Sequence, residues 1–164
     1  MDINRFRKTL GQFATGVSIV ISQGPKSLRG MTVNSLTSVS LNPPLVLFCA
    51  DNQSDTLNAV LHAKRFTVSI LNDQQEPLSQ QFALSGSQEQ LFSTLSIRPG
   101  IDQIPYLSDG LAYLDCHVTK VIPAGDHHVI IGHVDNLDVL DSHRQPLIYF
   151  RSHYYQPKSS TLAD

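Results

Sequence analysis

The stretch LAYLDCHVTKVIPAGDHHVIIGHVDNLDVL, residues 111–140, contains two apolar segments that meet at a short polar break. Both segments, residues 111–121 and 128–140, have the length and the branched side chains of β-strands, and the second is interrupted near Asp135. The break at residues 123–126, PAGD, has the proline and glycine typical of a turn between strands. This stretch therefore predicts a long antiparallel hairpin, with which the remaining strands have to pair.

Further strand patterns lie on both sides of this hairpin. Apolar and polar residues alternate from Val17 and over residues 66–71, whereas residues 45–50 are apolar throughout, as in a strand covered on both faces. Residues 31–41 are compatible with a strand but rich in serine and threonine, and residues 147–151 end the series. About seven strands predict a mainly β fold, a closed or nearly closed antiparallel barrel rather than a doubly wound sheet.

Helix patterns are few and short. The first helix is expected to be capped by Asp2 and to end near Gly16, because its apolar residues recur three and four positions apart. Ser54 is expected to cap another helix, and residues 87–90 have the spacing of a capping box. Residues 99–110 are predicted to form a loop.

The 164-residue chain has the size of one domain and a formal charge of −2, so it has no basic excess to attract nucleic acid or an anionic membrane. Its longest apolar run, residues 43–50, is too short to cross a bilayer. Two distant cysteines, Cys49 and Cys116, do not resemble a disulfide framework. We therefore expect a cytoplasmic protein without nucleic-acid or membrane partners, with one domain at residues 1–156 and a polar tail at 157–164.

Common cofactor and metal motifs do not occur in the sequence. There is no GxGxxG and no GxxxxGK[ST] phosphate loop, and the seven histidines form no HxxxH pair. Cys116 and His117 are neighbours on a predicted strand, so their side chains point to opposite faces and do not form a nucleophile and base pair. No metal site is therefore expected, and any phosphate must be held by other groups.

Two polar clusters could provide such groups. Residues 31–40, MTVNSLTSVS, carry six hydrogen-bonding side chains, which must face water or a polar ligand because buried polar groups need partners. Residues 51–56, DNQSDT, open the predicted second helix, where amides and hydroxyls favour an anion such as phosphate. An exposed serine-rich strand and ordinary N-capping would explain the same two patterns without a ligand.

Several short motifs occur in the order and spacing of one known family. They are FATGV at residues 13–17, GMTVNSLTSVSLNPPLV at 30–46, SDT at 54–56, FTVSIL at 66–71, QFA at 81–83, GDH at 125–127 and LIYFR at 147–151. Over about residues 5–155 the chain resembles the short-chain flavin reductases, the reductase components of two-component flavin monooxygenases. The resemblance implies an antiparallel, Greek-key-like split β-barrel that binds FMN or FAD, usually as a homodimer with the flavin near the subunit interface.

The resemblance also implies roles for individual residues. For the flavin these are Thr32, Val33, Asn34, Ser35 and Leu36 along the ring and ribityl chain, Cys49, Ala50 and Asp51 beside it, Ser54 and Thr56 at the phosphate, and Gln81, Phe82 and Ala83 against the flavin or its adenine. His127 is implied to orient the nicotinamide, with Arg151 and Tyr154 on the same side. A one-residue slip of the strand would exchange His127 for His128.

The implied activity is hydride transfer from NADH to FMN or FAD, followed by transfer of the reduced flavin to a separate monooxygenase. The reaction requires no proton-transfer residue, and none is assigned. NADPH is less expected, because only Lys120, Arg144 and Arg151 lie near the implied nicotinamide side to meet its extra phosphate. Asp55 and His133 depart from residues common in the family, and Asp55 makes an anionic ligand nearby less favourable.

Two other functions are compatible with the same barrel. One is a flavin-binding protein without reductase activity, such as an electron carrier or a flavin store, although the GDH motif argues against it. The other is a flavoenzyme resembling the pyridoxamine-phosphate oxidases, although Asn34-Ser35 and Pro43-Pro44 fit the reductases better.

Overall fold

The computed structural model describes residues 1–157, so the predicted tail lies outside the described residues apart from Pro157. The helices are α1 (Ile3–Leu10), α2 (Asp55–Ala63), α3 (Glu76–Phe82) and α4 (Glu89–Ser93), with a 3-10 turn at Ile101–Gln103. The strands are β1 (Thr15–Gly16), β2 (Ser18–Gln23), β3 (Leu28–Val33), β4 (Thr37–Leu41), β5 (Pro44–Asp51), β6 (Arg65–Ile70), β7 (Ile97–Pro99), β8 (Pro105–Leu107), β9 (Ala112–Ala124), β10 (His127–Val139), β11 (Ile148–Phe150) and β12 (His153–Tyr155). None of the described helices has the length and apolar character needed to span a membrane.

Seven strands form one antiparallel sheet that curls into an incompletely closed barrel. Their order is β3-β2-β6-β9-β10-β5-β4, with the predicted hairpin β9–β10 near the middle. The edge strands β3 and β4 follow one another in the chain, and β3 also contacts β5, so the two edges approach without pairing. This arrangement is the predicted split barrel. Two small sheets, β1-β11-β12 and β7-β8, complete the described fold.

The barrel interior is packed with apolar side chains from its strands. Phe48 on β5 and Phe66 on β6 are fully buried and meet edge to face, with ring centroids 5.0 Å apart. A second buried cluster includes Leu71, Phe82 and Leu147 and lies between the barrel, α3 and the small sheets. Each such side chain contributes about 1.5–3 kcal/mol by leaving water. The two clusters fix the positions of β3 and α3, between which the site described below is formed.

Gly132 on β10 leaves space for the Phe66 ring. A Cβ atom added at Gly132 would collide with this ring and come within 3.2 Å of the Cys116 Cβ. Gly132→Ala is therefore expected to lower the free energy of unfolding by about 1–3 kcal/mol, the usual effect of overpacking a core. Urea unfolding measures the difference. Gly16→Ala is the matched control, because nothing lies within 4 Å of the added methyl group, and equal effects of the two substitutions would contradict the packing described here.

Five local features were predicted wrongly, incompletely or not at all. The first helix ends at Leu10 rather than near Gly16, because Gly11 terminates it and residues 15–16 pair as β1. The predicted loop contains β8, which is buried and pairs with β7, and the pattern of β12 was missed altogether. Strand β5 is fully buried only on the face of Phe48, and its other face is half-buried. The capping box does not form, because Gln88 occupies the N-cap position without a side-chain cap bond.

Candidate functional site

A cavity of about 560 Å³ opens at the split of the barrel. It lies between β3, the end of β5, the first turn of α2 and the segment that follows α3. Ten of the thirteen predicted flavin-binding residues line it, and so does the predicted nicotinamide residue: Thr32, Val33, Asn34, Ser35, Cys49, Asp51, Ser54, Thr56, Phe82, Ala83 and His127. The fold therefore brings together segments that are up to about a hundred residues apart in the chain.

Hydroxyl groups of the serine-rich segment hold the cavity wall in place. Ser35 Oγ accepts a hydrogen bond from the Cys49 backbone amide at 3.0 Å, which joins the segment to the end of β5. Thr32 Oγ1 donates to the Ser79 carbonyl oxygen at 2.6 Å, which joins it to α3. Asn34 is exposed, and its side chain forms no hydrogen bond within the described part of the chain. Thr32 and Ser35 thus shape the wall, whereas the Asn34 amide is available to a ligand.

The first turn of α2 provides a second polar wall. Ser54 Oγ caps the helix by accepting hydrogen bonds from the amides of Thr56 at 3.2 Å and Leu57 at 3.4 Å. Its own proton is directed to the thioether of Met31, 3.4 Å away. Because sulfur is a weak acceptor, a phosphate oxygen could take this proton instead. Ser54 can therefore act both as the N-cap and as a ligand-binding hydroxyl.

Arg29 supplies the positive charge that the sequence motifs did not reveal. It is the only lysine or arginine among the described residues that line the cavity, whose lining also includes two carboxylates, Asp51 and Asp55. Its Nη1 atom donates to Ser27 Oγ at 2.8 Å and to the Leu28 carbonyl at 3.1 Å. These two bonds orient the guanidinium, and within the described part of the chain its other N–H groups have no partner, so they can donate to an anion.

The floor of the cavity depends on close packing at Gly30. The Gln88 amide brackets its backbone, accepting from Gly30 N at 2.9 Å and donating to Gly30 O at 2.8 Å. An added Cβ at Gly30 would lie 2.6 Å from the Phe82 ring. That ring is 2% exposed and packs edge to face on Phe92, so only part of it is available to a ligand.

His127 lines the cavity as the first residue of β10, directly after the turn that joins β9 to β10. Its Nδ1 atom is 2.7 Å from Asp126 Oδ1, and this hydrogen bond lowers the pKa of the Asp126 carboxyl. The other ring nitrogen, Nε2, has no hydrogen-bond partner among residues 1–157. His128 does not line the cavity, because its Nδ1 is 2.7 Å from the Asn52 side-chain oxygen. Asn52 also donates to the Gly125 carbonyl, so it ties the turn to the end of β5.

Five predicted residues lie away from this cavity. Ala50 is buried, Leu36 packs on the barrel core, and Gln81 lines an adjacent cavity of about 440 Å³. The Tyr154 hydroxyl bonds Ser79 Oγ at 2.8 Å and so reaches the site only through α3. The Arg151 guanidinium donates to Gln12 Oε1 at 2.7 and 2.9 Å, beside the end of α1. A contact of Tyr154 or Arg151 with a nicotinamide stays a prediction.

Cys49 offers a chemical test of the cavity. Its half-buried side chain lines the cavity, whereas Cys116 is buried in the core and burial raises the pKa of its thiol to about 12. Alkylation requires the thiolate, so iodoacetamide is expected to modify only Cys49 in the folded protein. Added FMN should slow this reaction severalfold. Mass spectrometry of the intact chain counts the modified thiols, and Cys49→Ser is the control. Native labelling of Cys116, or labelling of Cys49 that FMN does not slow, would contradict this assignment.

The opening of the split barrel combines hydroxyls, amides, one guanidinium and an oriented imidazole, a set of groups that suits a phosphorylated ligand. Comparisons with known proteins specify the class. Residues 10–158 match the family described as "Flavin reductase like domain". The chain is 39% identical to a flavin reductase of Pseudomonas putida, over 94% of this chain and 89% of that protein. It is 34% identical to the reductase subunit HsaB of a flavin-dependent monooxygenase of Mycobacterium tuberculosis, over 99% and 88%.

A solved structure agrees with these matches. The Streptomyces globisporus NADH:FAD oxidoreductase SgcE6, in complex with NAD and FAD fragments, superimposes with a TM-score of 0.86 and 32% identity, over 99% of this chain and 96% of that one. The chain belongs to the flavin reductase-like family. The predicted family, fold and enzyme class are confirmed.

Proposed function

We propose that this protein is the reductase component of a two-component monooxygenase. It takes a hydride from NADH, reduces FMN or FAD in the cavity at the barrel split, and releases the reduced flavin to a separate oxygenase. The observation that carries the proposal is the meeting of the predicted flavin-binding segments and His127 at one cavity. Several relatives support it by name, among them an FMN reductase (NADH) of Agrobacterium fabrum and the HsaB reductase subunit.

The chain's residues bind and orient rather than transfer protons. The bound flavin supplies the hydride acceptor, and this chemistry belongs to the cofactors. Asn34 offers both donors and an acceptor to the polar edge of the flavin ring. His127, held by Asp126, presents Nε2 to the nicotinamide side and aligns the dinucleotide. Thr32 and Ser35, which are tied to α3 and β5, hold the walls around the two cofactors in place.

The phosphate of the flavin is proposed to lie between Arg29 and the first turn of α2. Arg29 contributes the charge, and Ser54 and Thr56 contribute hydroxyls at the helix start. Asp51 and Asp55 oppose an anion in the same cavity, so the affinity depends strongly on Arg29. The adjacent cavity at Gln81 shares lining residues 84–86 with the first and has room for the adenylate of FAD.

A homodimer in the cytoplasm is part of the proposal. One face of α1 and the segment after it expose Ile3, Phe6, Leu10 and Phe13. An exposed apolar surface of this kind is typically buried in a contact with another copy of the chain. Arg151 is bound to the end of α1 and therefore lies at the proposed contact surface rather than at the cavity of its own chain. The NADH that the reaction consumes is available inside the cell.

Light scattering tests the dimer. We expect a mass of twice 18.1 kDa at micromolar concentration and a shift toward the monomer when Phe6 and Phe13 are replaced by serine. Val139→Ser, which removes an equally exposed apolar group elsewhere, is the control. A monomer mass for the unchanged protein would contradict the dimer and leave the cavity assignment standing.

The reductase assignment is tested by NADH consumption in air at rising flavin concentration. A reductase oxidises many equivalents of NADH per chain, and the rate rises with FMN or FAD until the cavity is saturated. An electron carrier or flavin store binds flavin and leaves NADH unchanged. Turnover with NADPH is expected to be slower, because Arg29 is the only lysine or arginine among the described lining residues and the flavin phosphate occupies it.

A further inference from the structure

One row of charged and ring side chains crosses three neighbouring strands on the outer face of the barrel. Arg65 on β6 is opposite His117 on β9, and His117 is opposite His133 on β10. Their chain neighbours Phe66 and Cys116 point into the core, so this row points outward. Strand β10 has a register shift between Val134 and Asn136. Such a bulge redirects a side chain, and here Asp135 meets the row.

Asp135 contacts the Nδ1 atom of both imidazole rings. Its Oδ1 atom lies 2.9 Å from His117 Nδ1 and 3.0 Å from His133 Nδ1. The centroids of the two rings are 4.9 Å apart, and the ring planes are tilted by 30°. Both Nδ1 atoms face the same Asp135 oxygen. The three candidate ligand atoms lie within 4.8 Å of one another. In a tetrahedral zinc site, ligand atoms are about 3.3 Å apart, because metal–ligand distances are about 2.0–2.1 Å. The observed distances of 2.9 and 3.0 Å from Asp135 Oδ1 to the two Nδ1 atoms are close to this separation.

The charges around this point favour a cation. Asp135 shares the Arg65 guanidinium with two other carboxylates, Asp115 at 3.3 Å and Asp102 at 3.4 Å, and is itself 2.8 Å from it. One positive group therefore faces three negative ones when the imidazoles are neutral. A divalent ion between the rings and Asp135 would balance this excess. The side chains of His117 and His133 are 43% and 30% exposed, so an ion can reach them from solvent.

We propose that His117, His133 and Asp135 bind one divalent transition-metal ion of the zinc class. The donors are two imidazole nitrogens and one carboxylate oxygen, a set that suits Zn²⁺, and water would fill the fourth position. His133 lies six residues from His127, about 20 Å along β10, so the ion is remote from the cavity. It would clamp β9 to β10 and stabilise the barrel without taking part in flavin reduction.

Calorimetric titration of the chelator-treated protein with Zn²⁺ tests the site. The unchanged protein should bind one ion per chain and melt at a higher temperature with Zn²⁺ than without it. His133→Gln and Asp135→Asn should each weaken binding by at least about tenfold and abolish the melting shift. His143→Gln, at an exposed histidine outside the row, is the matched control and should bind like the unchanged protein.

Co²⁺ gives an independent readout, because its visible absorption reports ligation by nitrogen and oxygen directly. Far-UV circular dichroism shows which variants are folded. If His133→Gln or Asp135→Asn is unfolded, His117→Gln is used in its place. The proposal is overturned if the unchanged protein does not bind Zn²⁺, or if folded variants that lack a ligand bind it equally strongly. The three residues would then form only a hydrogen-bonded cluster. Flavin reduction should be the same with and without bound Zn²⁺, and inhibition by one equivalent would overturn the remote, structural role.

Discussion

Replacing Arg29 with glutamine is expected to weaken FMN binding by about ten- to hundredfold and to leave riboflavin binding nearly unchanged. A hydrogen bond to a charged group contributes about 1.5–3 kcal/mol, and Arg29 is the only lysine or arginine among the described lining residues. Riboflavin has no phosphate, so it does not depend on this charge. Fluorescence titration with both ligands measures the two affinities.

The control for this substitution is Lys26→Gln, which removes an equal charge from an exposed residue outside the cavity. The double variant Ser54→Ala with Thr56→Ala should act in the same direction, lowering FMN affinity by about 1–3 kcal/mol, the scale of unpaired polar groups. Its effect includes the loss of the α2 cap, so thermal melting must accompany it. If Arg29→Gln weakens riboflavin and FMN equally, the phosphate lies elsewhere.

Replacing His127 with alanine is expected to slow hydride transfer by about ten- to hundredfold, the usual effect of losing a positioning contact near reacting atoms. Flavin affinity should change little, because the proposed flavin contacts come from β3, α2 and the segment after α3, whereas His127 begins β10. Stopped-flow measurement of the bound flavin separates the two quantities. Asp126→Asn should give a smaller decrease, since it removes only the group that orients the ring.

His128→Ala is the matched control for His127. The two residues are adjacent, but His128 bonds Asn52 outside the cavity lining. A rate that falls equally in both variants would show that the turn is disturbed as a whole. An unchanged rate in His127→Ala would remove this residue from the site.

The barrel was predictable where one pattern extends over many residues. Strands β9 and β10 alternate over long segments, and the PAGD turn and the irregularity at Asp135 are visible as breaks. Strand β8 was missed because it is held by side chains of another strand: Thr67 Oγ1 donates to the Pro105 carbonyl, and Ser69 Oγ accepts from the Leu107 amide. The sequence around the prolines of residues 99–110 contains no local pattern that predicts those bonds.

The candidate site was predictable to the extent that its residues lie within motifs. The segment from Thr32 to Ser35 and the first turn of α2 are such motifs, and both line the cavity. Arg29 was missed because its role depends on how α2 and α3 pack beside β3. Residues 87–90 were expected to form a capping box, but the structure instead pairs the Gln88 amide with the backbone of Gly30, 58 residues away. Partners so far apart in the chain leave no recognisable pattern in the spacing of residues along the sequence.

The same limit applies to the outer face of the barrel. His117 and His133 are far apart in the chain and share no metal-binding spacing, so the sequence predicted no cluster. The register of β9 against β10 makes them direct neighbours. Cross-strand pairs can be found from sequence only once the register is known, and here two register shifts, between Ile131 and Gly132 and between Val134 and Asn136, determine which side chains meet.

Anaerobic mixing of the FMN-loaded protein with NADH tests the central claim most directly. The bound flavin should lose its absorbance in one rapid phase, much faster than free FMN mixed with NADH, and NADPH should be slower at equal concentration. The Arg29→Gln variant, mixed at the same total FMN, should show a smaller rapid phase because less flavin occupies the cavity. Persistent flavin absorbance after addition of NADH, with FMN shown to be bound, would contradict the assignment of this protein as a flavin reductase.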